Sequence, residues 1–191
     1  CQRKVIRLMP LKEVDRFIHG FGNRRDRLMA AVMMWCGLRR AEVIGLRMSS
    51  FVRPTPGDKS VRFSVIGKGG KERELLMPIE LYFKLRDLKR EHLFPVHLDT
   101  VNKAFATNSK KTGIRINPHL LRHIFASIRL SHLERDHATR GTMNSAMKML
   151  QMELGHSSIE TTSHYLHLIE PERVPETYEH FINAVGKVIK L

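Results

Sequence analysis

Cysteine is scarce in this chain. Two occur among 191 residues, Cys1 and Cys36, and neither sits in a spacing that builds a disulfide framework or a metal site. A disulfide-stapled secreted scaffold is therefore excluded, and a reducing cytoplasm fits. Long apolar runs are missing as well. The longest, Leu28 to Cys36, spans nine residues, less than half of the ~20 that a membrane helix needs. Acidic residues are outnumbered: 19 Asp and Glu face 33 Lys and Arg, a net charge of +14. Such an imbalance argues for a polyanionic partner, and neutralising a phosphate backbone is its usual use. No lysine-rich amphipathic anchor points to a membrane surface instead.

With 42% hydrophobic and 27% charged residues, the composition is that of a soluble globular chain. Its length suits one full-sized domain with its own core. Leu11, Val14, Phe17, Ile18 and Phe21 fall at helical spacing behind Pro10, which predicts a helix to about Gly20. A second helix is expected over Arg24 to Cys36, apolar all round in its latter half and closed by Gly37. A short helix follows around Val43, Ile44 and Leu46.

Val61, Phe63 and Val65 alternate with polar residues at the period of a strand. Arg73 to Met77 reads as its hairpin partner across Gly67-Lys68-Gly69-Gly70. Helical patterns resume over Pro78 to Arg90, from Thr100 to about Lys111 behind an Asp99 cap, and from Pro118 to about Leu130. Ser131 to Asn144 is polar and irregular. Helical spacing returns with Met143, Met147, Leu150 and Leu154. The class is mainly α with a small antiparallel β-sheet.

Four stretches carry candidate chemistry: Gly37-Leu38-Arg39-Arg40-Ala41-Glu42, Gly67-Lys68-Gly69-Gly70-Lys71-Glu72-Arg73, His119-Leu120-Leu121-Arg122-His123, and Leu154 to His167. The last sets His156 and Tyr165 nine residues apart. Arginine suits a phosphate clamp because its planar fork donates two parallel bonds and keeps its charge. His119 and Arg122, three residues apart on a helix, share a face. His119 and His123 have the spacing of a zinc pair, but the glutamate of that motif is absent and Arg122 would set a cation beside the metal. Lys68 at the hairpin turn reads as a general acid, and Lys68, Lys71 and Arg73 read equally well as phosphate contacts or solubilising loop charges.

In chain order the four stretches resemble the motifs of the tyrosine recombinases, the phage-integrase type of DNA strand-transfer enzyme. The likeness runs from about Leu11 to Tyr165. It implies the catalytic-domain fold of those DNA breaking-rejoining enzymes, with residues 1–166 as the strand-transfer domain and 167–191 as a linker and docking helix. It implies that Arg39, Arg122, His119 and His156 surround the scissile phosphate, that Lys68 is the general acid and that Tyr165 is the nucleophile. Glu42 and His123 are supporting residues. Lys71, Arg73, Lys110, Lys111 and Arg115 are expected to contact DNA. A phosphotyrosine stores the bond energy, so neither metal nor nucleotide cofactor is expected.

The resemblance further implies double-stranded DNA as partner, a homo-oligomer (a tetrameric synapse held by the C-terminal helix), and a cytoplasmic, nucleoid-associated setting. The N-terminal clamping domain of such enzymes is expected to be missing from this chain. Cys36 stands where the family often has a small hydroxyl residue, and Ile124 replaces a common threonine. The interval from His119 to His156 is longer than usual, with the excess in Ser131 to Asn144. A type IB-like topoisomerase shares the chemistry, and a DNA-binding module without catalysis shares the charge. The target site and the direction of the reaction are not encoded in these motifs.

Overall fold

The computed structural model describes residues 9–138, 143–155, 178–187 and 189. Helix α1 (Leu11–Gly20) buries Val14, Phe17 and Ile18 on one stripe. Its Phe17 and the following Phe21 meet Phe105 of α5 (Leu98–Thr112), with ring centroids 5.2–5.6 Å apart. Asp99 was the expected cap of α5. The helix instead begins two residues earlier than expected, at Leu98 behind His97, and Asp99 lies in its first turn, where an acidic side chain suits the helix dipole.

Helix α2 (Arg24–Cys36) is the central post. Asn23 caps it by accepting from the Asp26 amide at 2.8 Å, and every residue from Leu28 to Cys36 is buried. It packs on α1, on α3 (Arg40–Ile44), on β2 (Glu72–Pro78), on α4 (Ile79–Arg86) and on α6 (Pro118–Ala138). At ~1.5–3 kcal/mol for each fully buried large side chain, this helix anchors what is attached to its end. Gly37 stops it at φ 63°, where the chain turns left-handed, and a Cβ there would collide with the Phe125 ring.

Strand β1 (Ser60–Ile66) pairs antiparallel with β2 in the register Ser60 with Pro78 and Ile66 with Glu72. Gly67 donates its amide to the Lys71 carbonyl at 2.8 Å and closes the hairpin, with Lys68–Gly70 as a single 3₁₀ turn at its tip. The strands follow the expected alternation: Val61, Phe63 and Val65 face the core.

One finding corrects the sequence reading. Helix α6 does not stop near Leu130 but continues to Ala138, and Met143 already belongs to α7 (Met143–Leu154). Leu130, His132 and Leu133 are buried there, so tertiary packing carries the helix through its polar run. The C-terminal helix is α8 (Tyr178–Gly186). In the structure Phe181, Val185 and the following Ile189 are buried on their own chain, with Phe181 edge-on to Trp35, Phe125 and His132.

Candidate active site

The site grows from the end of α2. Immediately after Gly37, Arg39 caps α3, and Glu42 reaches back one turn to accept from the Arg39 amide at 2.7 Å. The local sequence dictates this, since an acid three residues past a cap is placed to take the orphan amide. Glu42 also accepts from Arg39 Nη1 at 2.9 Å. Its side chain is 3% exposed, and that of Arg39 is 33% exposed.

A second guanidinium comes from the hairpin. Arg73 of β2 grips Glu42 with both terminal nitrogens, Nη1 to Oε1 and Nη2 to Oε2, each at 2.9 Å. Its Nε donates to the Glu153 carbonyl at 2.8 Å, near the end of α7. Arg73 is only 11% exposed. An exposed phosphate contact was expected here. The geometry differs because a carboxylate 31 positions earlier and a carbonyl 80 positions later take its donors.

Arg122 supplies a third. From α6 it donates through Nη1 to the Gly37 carbonyl and through Nη2 to the Leu154 carbonyl at 2.6 Å, and its Nη1 lies 3.8 Å from Glu42 Oε2. It is 3% exposed. Three arginines thus surround one carboxylate, with a net excess of positive charge. Burial alone would push the Glu42 carboxyl up. The bonds from Arg73 and the Arg39 amide, with the charges of Arg73 and Arg122, overcome that and hold it below its ordinary value.

Gly155 closes α7 at φ 62°, and its carbonyl accepts from Arg39 Nη2 at 3.3 Å. Arg39, Arg73 and Arg122 therefore all bond to the last residues of α7, where the His156 stretch begins. His156 and Tyr165 themselves lie outside the described residues.

His119 sits exposed in the first turn of α6, where Asn117 accepts from the Leu120 amide at 2.8 Å and caps the helix. Its imidazole pKa lies below the ordinary value, through partial burial first and then the charges of Arg122, Arg40 and Arg39. The ring is edge-on to His123 at 4.2 Å between centroids. Among the described residues no group of three metal-type ligands forms.

Lys68 occupies the turn at the hairpin tip, and Lys71, beyond it, is exposed. Lys110, Lys111 and Arg115 are exposed at the end of α5 and just past it, and Lys111 donates to the Gly20 carbonyl at 2.8 Å. Arg40 is near enough to lower the His119 pKa and donates to Asn102 of α5. Arg129 and Glu153, joined at 2.7 Å, brace α6 against α7 behind the site. Sequence spacing carries no signal for them, because these pairings join distant segments.

A sequence model of the phage integrase family matches residues 7–171. The chain is similar to a tyrosine recombinase of Pseudothermotoga lettingae, 31% identical over 170 residues, which are 79% of this chain and 52% of that protein. It thus spans about half the length of the curated relatives it matches. The structure superposes on the catalytic domain of bacteriophage HP1 integrase with TM-score 0.58 and 26% identity, over 86% of this chain and 88% of that one. The XerH site-specific recombinase, in a post-cleavage complex with its palindromic difH substrate, shares the fold. There the TM-score is 0.68 at 18% identity, over 96% of this chain and 53% of that one.

Proposed function

The chain belongs to the phage integrase family, and on that premise we propose that it cuts and rejoins double-stranded DNA at specific sites through Tyr165. The Tyr165 oxygen attacks the phosphorus and passes its proton to His119, whose imidazole is held neutral. The bond to the 5′ oxygen breaks, and Lys68 protonates that oxygen as it leaves. The product is a 3′-phosphotyrosine and a free 5′ hydroxyl, and attack by another 5′ hydroxyl reverses the step. Arg39, Arg122, His119 and His156 stabilise charge on the oxygens that stay behind.

What supports this above all is the convergence of Arg39 and Arg122 around Glu42 at the end of α7. Arg39 bonds Gly155 directly, and His156 follows in the chain. Arg39, the more exposed of the two, takes the phosphate. Arg122 adds its charge from behind while fixing the frame. A tyrosine with a reference pKa of ~10 needs such a positive field to act near neutral pH. Lys71, Lys110, Lys111 and Arg115 are proposed to hold the duplex, in keeping with the +14 charge. Residues 1–166 form the strand-transfer unit, and copies assemble on paired sites.

The test is trapping on a randomised pool of nicked duplexes, from which the short cleaved strand diffuses away. The chain is expected to leave a denaturant-resistant adduct that peptide mass spectrometry maps to Tyr165. Tyr165→Phe should bind DNA with unchanged affinity and form none. An adduct on Tyr82 or Tyr178, or its absence with the unaltered chain, would overturn the assignment.

A further inference from the structure

Arg73 belongs to neither the exposed charges nor the residues that the strand-transfer motif assigns to the phosphate. Five observations set it apart. It is 11% exposed, and its fork meets the Glu42 carboxylate squarely, at 2.9 Å on both sides. Its Nε is bonded to the Glu153 carbonyl at 2.8 Å. Glu42 in turn holds both the amide and the guanidinium of Arg39. Two glycines make room for it: a Cβ on Gly67 would lie 3.0 Å from Arg73 Nη1, and one on Gly155 would lie 3.1 Å from the same atom.

We infer that Arg73 is a positioning residue, which locks Glu42 so that Glu42 can aim Arg39 at the scissile phosphate. The physical reason lies in the donor count. Glu42 shares Oε1 between Arg39 and Arg73, and without the second grip the carboxylate could rotate toward Arg122, 3.8 Å away. Arg39 would then lose the partner that fixes its guanidinium. The same bond set ties β2 to α3 and to the end of α7. A bidentate arginine does this and a lysine does not, because a single ammonium cannot bridge both oxygens in a fixed plane. A group misplaced by about 1 Å costs catalysis about 100-fold.

This rests on the strand-transfer function proposed above, and the tests keep the two apart. Arg73→Lys is expected to slow single-turnover adduct formation about 100-fold. DNA affinity and its salt slope should stay unchanged, whereas loss of a phosphate contact would lower that slope by about one. The loss should be equal on a substrate whose leaving oxygen is replaced by sulfur, because the defect is in the clamp and not in the general acid. Glu42→Gln should lose a similar factor, and the double variant no more than the worse single one, as for residues acting as one unit.

Gly67→Ala provides a second route that keeps every charge. Its methyl presses on Arg73 Nη1, and cleavage should fall with unchanged affinity. A readout without DNA comes from the Nη–H resonances of Arg39 by ¹⁵N NMR, expected to be slow to exchange in the unaltered chain, where Glu42 and Gly155 hold both terminal nitrogens, and broadened in both Arg73→Lys and Gly67→Ala. An unaltered chain that forms no adduct refutes the proposed function alone. Unchanged Arg39 resonances in these variants, a reduced salt slope, or additive losses with Glu42→Gln would each overturn the role given to Arg73.

Discussion

Arg122 of α6 donates to the carbonyl of Leu154, 2.6 Å away at the end of α7, and with its other terminal nitrogen to the carbonyl of Gly37. One side chain thus holds the ends of two helices, α2 and α7, between which the site is built. The two arginines of the clamp are for that reason unequal in their structural cost.

Arg122→Ala leaves two buried carbonyls without this donor and removes a cation 3.8 Å from Glu42. Each buried group left unsatisfied costs about 1–3 kcal/mol. The variant should therefore lose several degrees of melting temperature as well as cleavage. Arg39→Ala, at a site 33% exposed, should lose cleavage with a stability change within about 1 kcal/mol. Denaturant unfolding of the two variants side by side checks this, and equal destabilisation would refute it.

Glu42 predicts the acid behaviour. Its folded pKa lies below the unfolded value of about 4.3. Its contribution to stability is therefore complete above that value and is lost as pH falls through the folded pKa. In Glu42→Gln that part of the acid dependence should disappear. The variant should also be weaker at neutral pH, by about 3–5 kcal/mol, because Arg73 then keeps a nearly buried charge without its counter-ion. Unfolding free energies measured from pH 3 to pH 7 test both statements. A parallel offset at every pH would deny Glu42 its part in acid stability.

Much of this site was legible in the sequence, and the limits of legibility have a physical form. Gly37, the apolar α2 and the alternation of Val61, Phe63 and Val65 are local signals, set by backbone conformation and by periods of 3.6 and 2. The capping of Arg39 by Glu42 is local too. Arg73 was misplaced because its partners lie 31 and 80 positions away, and no spacing rule carries such a bond. The length of α6 was underestimated because Leu130, His132 and Leu133 are held by packing, which overrides a polar pattern. The resemblance marked a docking helix near the C-terminus, with a face that must be covered, but not by what.

Part of that cover is now visible: Phe181 stands edge-on to Trp35 at 5.7 Å and to Phe125 at 5.8 Å, and is fully buried. Phe181→Ala should cost about 3–5 kcal/mol in the isolated chain. Cutting after Arg173 should lower its melting temperature further, since Val185 and Ile189 are lost as well. A truncated chain that melts like the intact one would show that α8 contributes nothing to its own domain and that its burial is needed elsewhere.

The last prediction concerns His119. An imidazole in water gains its proton near pH 6.5, but here partial burial and the charges of Arg122, Arg40 and Arg39 all oppose the cation. The ring is therefore neutral at pH 7 and stays neutral further into acid than a free histidine would. Its ¹H NMR titration should show a midpoint below 6.5, and the acid limb of adduct formation should follow that midpoint if His119 accepts a hydrogen bond or a proton during attack. Arg40 gives the control, because it bonds Asn102 and sits outside the Glu42 cluster. Arg40→Gln removes one of the opposing charges, so both the NMR midpoint and the acid limb should move up together. Added salt should move the midpoint the same way, though less, since the part due to burial is not screened. A midpoint at or above 6.5, or an acid limb that stays in place while the midpoint moves, would remove His119 from the proton-transfer step.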